Sequence, residues 1–158
     1  MGGNETDISK CYMLRSPLIF LATIILLIFY NYMKVSIITS SYNREKTIRG
    51  CIESVLAQDY PDIEYIVVDG ASNDGSLSII NEYKDRISKI ISEPDHGMYE
   101  AINKGIRAAT GDVIGLVHSD DFLYSPQTIS NIVKRFEETH ADFLYGDGLF
   151  VNAENTDK

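Results

Sequence analysis

The chain has 158 residues, of which 44% are hydrophobic, and this is enough apolar material for one globular domain with a core. Fourteen lysine and arginine residues stand against 23 aspartate and glutamate residues, so the formal net charge is −9 at pH 7. That sign argues against a protein that binds nucleic acid by neutralising its phosphates, and no nucleic-acid partner is expected.

The first feature in chain order is an apolar segment within residues 1–32. Residues 17–30, PLIFLATIILLIFY, carry no charge, and a helix that spans a membrane needs roughly 17 to 20 such residues. One interpretation is therefore a hydrophobic transmembrane helix, followed by a domain over residues 33–158. Basic residues are more numerous after the segment than before it, which favours the cytoplasmic face of the inner membrane for the domain.

The alternative interpretation is that residues 1–32 are an upstream extension from a misassigned start codon. A strand pattern begins at Lys34, directly after Met33, so no linker separates the apolar segment from the domain. In that case we expect the domain in the cytoplasm. Both interpretations stay open on the sequence alone.

From Met33 onward, short apolar runs alternate with stretches of helical periodicity. The runs predict five strands, over residues 34–39, 63–69, 88–92, 112–118 and 142–147. Between them, apolar residues recur every three or four positions and predict three helix faces: Ile48, Cys51, Ile52, Val55 and Leu56; Met98, Ile102, Ile106 and Ala109; Ile129, Ile132, Val133 and Phe136. This alternation predicts an α/β fold with a mostly parallel sheet and helices on both of its faces.

Polar side chains follow the first four predicted strands at their carboxyl ends. These side chains are Ser40, Asp69, Asp95, Asp120 and Asp121. In a parallel sheet they meet at one edge, where ligands bind in α/β proteins. Carboxylates gathered in this way raise one another's pKa values unless a cation neutralises them, and oxygen ligands favour Mg²⁺ or Mn²⁺.

The predicted ligand of this edge is a nucleoside diphosphate. Mg²⁺ is commonly held by one or two carboxylates and completed by substrate phosphates and water. Neither G-x-G-x-x-G nor G-x-x-x-x-G-K-[ST] follows the first strand, so metal bridging is the expected way to hold the phosphates. Tyr42 can stack on a base, and Asp69 can accept hydrogen bonds from a base or a ribose.

Two stretches carry a family resemblance that covers Lys34 to about Val151. They are VSIITSSYNREKTIRGCIESVLAQDYPDIEYIVVDGASNDGS and SEPDHGMYEAINKGIRAATGDVIGLVHSDD. Together they resemble the N-terminal half of the bacterial family two inverting glycosyltransferases. The resemblance implies a Rossmann-like GT-A fold and an enzyme that transfers a sugar from a nucleotide-diphosphate sugar, with a UDP-sugar favoured. It also implies a glycan or lipid-linked acceptor in the synthesis of cell-surface polysaccharides such as O-antigen, capsule or exopolysaccharide.

The resemblance assigns roles to individual residues. It implies that the nucleotide-sugar contacts Ser40, Tyr42, Asp69, Asp95 and Asp120. The sequence HSDD stands where the family has its D-x-D motif, so a divalent metal, Mg²⁺ or Mn²⁺, is expected on Asp120 and Asp121. Gly70 departs from the family's commoner pair of successive aspartates, and this leaves the base contacts to Asp69.

No catalytic base is assigned from the sequence. Inverting transfer requires a general base that deprotonates the acceptor hydroxyl, and in the resembling family that base follows the fifth strand. Asp147 is the late carboxylate at a predicted strand end. The expectation is a C-terminally truncated glycosyltransferase domain, and the alternative is a non-catalytic fragment that binds a nucleotide-sugar.

Overall fold

The computed structural model describes residues 32–148 and 150–151. The predicted transmembrane helix falls in residues 1–31 and lies outside this range. Within the described residues, no helix combines the length and the apolar character needed to cross a membrane.

Strands and helices alternate along the chain. The strands are β1 (Val35–Ser41), β2 (Ile63–Asp69), β3 (Lys89–Ser92) and β4 (Val113–Leu116). The helices are α1 (Ile48–Leu56), α2 (Ser76–Glu82), α3 (Met98–Ala108) and α4 (Thr128–Thr139). Four of the five predicted strands are therefore confirmed, with ends that differ by up to two residues.

The four strands form one parallel sheet in the order β3-β2-β1-β4. In the central pair, Ser41 lies opposite Asp69, so β1 and β2 end side by side. The chain builds outward from β1 to β3 and then crosses back, so that β4 pairs with the other side of β1. The strand order thus reverses between β1 and β4, and such a point is the place where ligands bind in open α/β sheets.

Helices cover both faces of the sheet, as predicted. On one face, Ile37, Val67 and other strand residues pack against α1, α2 and α4. On the other face, Ile38, Ile66 and Val68 pack against Ala101 of α3. The alternation of side chains along each strand places successive residues in these two cores.

The predicted sheet-facing surface of α3 is wrong in part, although Ala109 packs against the core as predicted. Met98 and Ile106 are exposed, and the helix buries Ala101 and Gly105 instead. A Cβ at position 105 would collide with Cγ2 of Ile38, so the helix backbone lies directly against β1. Small residues allow this close approach, whereas the larger Met98 and Ile106 remain exposed to solvent.

Two further predictions are corrected. Residues 142–147 form no strand, and Phe143 and Tyr145 in that segment are 75% and 89% exposed. In the described residues this segment pairs with no strand, and its large side chains are not covered by other residues. In α4, Ile129 and Val133 are buried as predicted, but Ile132 is exposed.

Candidate functional site

A cleft of about 510 Å³ opens at the carboxyl edge of the sheet, between the ends of β1 and β4. Its walls are residues 40–44 at and after the end of β1, the start of α3 with the preceding Asp95, and residues 118–120 after β4. The cleft therefore lies at the reversal of strand order, where the sequence placed the ligand site.

The structure brings four of the predicted site residues together in the walls of this cleft: Ser40, Tyr42, Asp95 and Asp120. Asp121 follows in the same turn, where its backbone N–H donates to the carbonyl of His118 at 2.9 Å. Asp69 lies apart from the cleft walls. These positions are what the structure shows, and the roles of the residues stay predictions.

Asp69 is fully buried at the end of β2. Its carboxylate accepts hydrogen bonds from the backbone N–H of Ser72 at 3.0 Å and from the hydroxyl of Ser92 at 2.9 Å. The hydroxyl of Ser72 donates to its other oxygen. In this arrangement, Asp69 fastens the loop after β2 to the end of β3.

The loops after β1 and β2 are cross-linked to each other. The backbone N–H of Asn43 donates to the hydroxyl of Ser72 at 2.9 Å, and the side-chain oxygen of Asn43 accepts from Asn73 N–H at 2.9 Å. Asn43 and Ala71 both have positive φ, at 52° and 58°. Such a backbone is costly for alanine, so these contacts hold both loops in a defined shape beside Tyr42.

Asp95 occupies the space above Gly70. Its Oδ1 accepts a hydrogen bond from Gly97 N–H at 2.8 Å, just before α3 begins. A Cβ at position 70 would lie 2.7 Å from Oδ2 of Asp95 and 3.3 Å from Cδ2 of Tyr42. Asp95 therefore holds the turn just before α3 and also lines the cleft.

Arg44 and Asp120 form a second pair of side chains in the cleft walls. Nε of Arg44 lies 4.0 Å from Oδ2 of Asp120, and both side chains are exposed. In the part of the chain that the structure describes, no three imidazole, thiolate or carboxylate groups gather into a metal site. Asp120 and Asp121 instead offer two adjacent exposed carboxylates. Such a pair fits the way in which Mg²⁺ is held, by one or two carboxylates with phosphate and water.

Two residues of the cleft walls, Arg44 and His118, were given no role from the sequence. His118 lines the cleft and shares a hydrogen bond of 3.2 Å between its Nδ1 and the hydroxyl of Ser40. Arg44 follows directly after the strand-end segment that holds Tyr42. The sequence could have indicated both residues by their positions, because each lies near a strand end that was already expected at the site.

Beneath the cleft, a buried network supports the end of β1. The hydroxyl of Thr39 lies 3.1 Å from that of Tyr65 and 3.7 Å from the sulfur of Cys51. The thiol of Cys51 also donates to the carbonyl of His118 at 3.3 Å. Burial raises the pKa of Cys51 to about 11, although Thr39 and Tyr65 act to lower it. Cys51 is therefore a neutral structural thiol and not a nucleophile.

One hydroxyl at the cleft has no partner. Ser41 is buried and belongs to the cleft wall, and among the described residues no group forms a hydrogen bond with its Oγ. Its carbonyl is satisfied, because Gly70 N–H donates to it at 2.9 Å. A buried polar group without a partner is rare in folded proteins, and an incomplete ligand site is one of its explanations.

The sequence is similar to those of glycosyltransferases from other organisms. The chain is 32% identical over 134 residues to an uncharacterized glycosyltransferase of Nostoc sp., and the match covers 78% of this chain and 41% of that protein. It is also 32% identical over 116 residues to the PGL/p-HBAD biosynthesis glycosyltransferase of Mycobacterium tuberculosis, and covers 71% of this chain and 45% of the relative. The chain thus spans less than half of the length of these relatives.

A solved structure shows the same architecture. Residues 1–349 of Staphylococcus aureus TarS, in complex with UDP-GlcNAc, superpose with a TM-score of 0.65 at 30% identity. The superposition covers 70% of this chain and 33% of TarS. The sequence model named glycosyl transferase family 2 matches residues 36–158, which include the whole described cleft and all four strands except Val35. The chain therefore belongs to glycosyl transferase family 2.

Proposed function

We propose that this chain holds the donor site of a glycosyltransferase that uses a nucleotide-diphosphate sugar, with a UDP-sugar favoured. The observation that carries the proposal is the presence of two pairs of side chains in one cleft. Tyr42 and Asp95 adjoin each other beside Gly70, and Arg44 lies beside Asp120; these pairs are called the first and the second end of the cleft. TarS, at 30% identity, was solved with UDP-GlcNAc and supports a donor of this class.

The first end suits a nucleoside. The side chain of Tyr42 is 56% exposed at the cleft, and an exposed aromatic ring offers a flat surface on which a base can stack. The carboxylate of Asp95 lies beside this ring and can accept a hydrogen bond from the base or from the ribose. The aromatic ring of Tyr42 can stack on the plane of the base, and the carboxylate of Asp95 can accept a hydrogen bond from the edge of the base or from the ribose.

The second end suits a diphosphate. Arg44 supplies a guanidinium group that binds phosphate oxygens well, and it lies beside Asp120. Asp120 and Asp121 would hold Mg²⁺ or Mn²⁺, which when bound neutralises the charge of the departing diphosphate. Ser40 and His118 complete this wall through their shared hydrogen bond.

The remainder of the reaction is part of the same proposal. The sugar would pass to a glycan or lipid-linked acceptor in cell-surface polysaccharide synthesis, at the cytoplasmic face of the inner membrane or in the cytoplasm. Inversion needs a general base near the acceptor hydroxyl. Asp147 is exposed and lies outside the cleft walls, so its position does not support that role.

Isothermal titration of the full chain with UDP, in the presence of Mn²⁺ and again with EDTA, tests the donor site. We expect binding with Mn²⁺, and a loss of affinity of about tenfold or more with EDTA or in Asp121→Asn. Asp85→Asn, an exposed position away from the cleft, is the matched control and should bind as the wild type does.

The same protein also separates transfer from binding. Release of UDP from a UDP-sugar that depends on an added acceptor would support an enzyme. Binding without such release would favour the alternative of a nucleotide-sugar-binding fragment. Absence of UDP binding by a chain that melts cooperatively, together with absence of GDP binding in the same titration, would refute the donor site itself.

A further inference from the structure

The two oxygens of the Asp95 carboxylate are in different states. Oδ1 is engaged, because it accepts the hydrogen bond from Gly97 N–H at 2.8 Å. Among the described residues no donor bonds to Oδ2, which lies over Gly70 in the cleft wall. An ionised carboxylate is an acceptor only. The cleft is therefore offered one fixed acceptor atom at this point.

The absence of a side chain at position 70 makes room for this oxygen. A Cβ there would approach Oδ2 of Asp95 to 2.7 Å, which is closer than real Cβ atoms come. Gly70 is not among the glycines with positive φ, so its backbone does not itself demand glycine. The space above Gly70 is what the carboxylate of Asp95 uses.

The surroundings of Oδ2 match the edge of a nucleobase. Cδ2 of Tyr42 lies 3.3 Å from the same point above Gly70, so an aromatic ring and an acceptor are adjacent. The unpartnered hydroxyl of Ser41 belongs to the same wall and independently indicates an incomplete polar site. Asp69, which the sequence favoured for base contacts, is fully buried and engaged by Ser72 and Ser92.

We propose that Asp95 is the residue that selects the base of the donor, and that it selects uracil through the single free oxygen Oδ2. This inference rests on the proposed function. The edge of uracil presents one ring N–H, at N3, between two carbonyl groups, and one acceptor satisfies it. Cytosine carries a lone pair at N3, which an acceptor-only carboxylate repels. A site built around one hydrogen bond rejects the base that cannot form it.

Titrations of the full chain with UDP and with CDP, in Mn²⁺, test this assignment, because the two nucleotides share ribose and diphosphate. We expect the wild type to bind UDP at least about tenfold more tightly than CDP. In Asp95→Asn, the side-chain oxygen keeps the bond from Gly97 N–H, and the amide NH₂ takes the place of Oδ2. This variant should lose affinity for UDP and gain affinity for CDP.

The reversal of preference separates base selection from a structural role. Equal weakening of both nucleotides in Asp95→Asn, or no change in either, would overturn the assignment while the donor site itself stands. A wild-type chain that binds neither nucleotide would overturn the proposed function, and the assignment with it.

A second variant keeps the proposal testable if Asp95→Asn fails to fold. Gly70→Ala places a methyl group against Oδ2 and should reduce the preference for UDP over CDP about tenfold. Gly50→Ala is its matched control, because a Cβ at position 50 meets no atom within 4 Å. A Gly70→Ala protein that keeps the wild-type preference would contradict the proposal.

Discussion

Glu64 provides a test of stability at the edge of the sheet opposite to the cleft. It lies near the start of β2, and its carboxylate accepts four hydrogen bonds. They come from Ser36 Oγ at 2.5 Å, Thr110 N–H and Oγ1 at 2.7 Å each, and Lys34 Nζ at 3.3 Å. One side chain thus ties β1 and the segment before β4 to β2. We predict that Glu64→Gln destabilises the fold and leaves nucleotide binding unchanged.

The magnitude follows from the pKa of Glu64. Burial acts to raise this pKa, but the hydrogen bonds from Ser36, Thr110 and Lys34 outweigh it and hold the pKa at about 2, against an ordinary value of 4.5. A difference of about 2.5 pKa units, at about 1.4 kcal/mol for each unit, corresponds to about 3 kcal/mol. The side chain is 14% exposed and its hydrogen bonds with Thr110 lie at the surface, so solvent screening makes about 3 kcal/mol an upper limit.

The pH dependence has a definite sign. Because the folded pKa is lowered, the stabilisation is fully present above the unfolded pKa of about 4.5. It is lost as the pH falls from there through about 2. Urea unfolding followed by circular dichroism should show a difference of up to about 3 kcal/mol between wild type and Glu64→Gln at pH 7, and a much smaller difference near pH 3.

The control for this prediction is Glu138→Gln on α4. Glu138 pairs with Lys134 and Arg135 at exposed positions, and such surface pairs contribute about 0 to 1 kcal/mol. A difference between wild type and Glu64→Gln that stays the same from pH 7 to pH 3 would refute the reasoning. It would show that shape, and not ionisation, determines the contribution of Glu64.

Three further predictions concern the core and the cleft. Gly105→Ala should lower the free energy of unfolding by about 1 to 3 kcal/mol, measured with urea, because its methyl group collides with Ile38. Ser41→Ala should leave that free energy unchanged or raise it, measured in the same way, because the lost hydroxyl has no partner among the described residues. Arg44→Ala should weaken binding of UDP about tenfold and leave binding of uridine unchanged in calorimetry, because Arg44 lies beside Asp120 at the diphosphate end.

Each of these predictions has a matched control. Gly50→Ala adds a methyl group in open space on α1 and should be neutral or stabilising. Thr39→Val removes a buried hydroxyl that has partners and should cost about 1 to 3 kcal/mol. Lys46→Ala removes an exposed cation outside the cleft and should not affect UDP. A Gly105→Ala protein as stable as wild type, a destabilised Ser41→Ala protein, or equal loss of uridine and UDP in Arg44→Ala would each contradict its prediction.

The sequence was sufficient for features that repeat along the chain. The β-rich run 63–69 predicted β2 with both ends correct, and the spacing of Ile48, Cys51, Ile52 and Val55 predicted the buried face of α1. Both patterns are local, because residues on one face of a strand or a helix are two to four positions apart in the sequence. The meeting of strand ends at one cleft followed from the rule for parallel sheets.

Features that depend on contacts between distant residues could not be predicted from the sequence. The buried face of α3 consists of Ala101 and Gly105, whose value lies in their small size against Ile38 and not in an apolar pattern. The engagement of Asp69 depends on the hydroxyl of Ser92, 23 positions away, which no periodicity indicates. The segment 142–147 has a strand pattern, but pattern alone does not supply a pairing edge.

The arrangement of the strands gives the two ends of the cleft different mechanical support. The end with Tyr42 and Asp95 adjoins the central strands β1 and β2, whereas the end with Asp120 follows β4, which in the described part of the chain pairs with β1 alone over four residues. A strand so held opens at lower free energy than the centre of the sheet. A bound donor that contacted both ends would stabilise the pairing of β4 with β1. Donor binding would therefore slow amide exchange in β4 more than in β2.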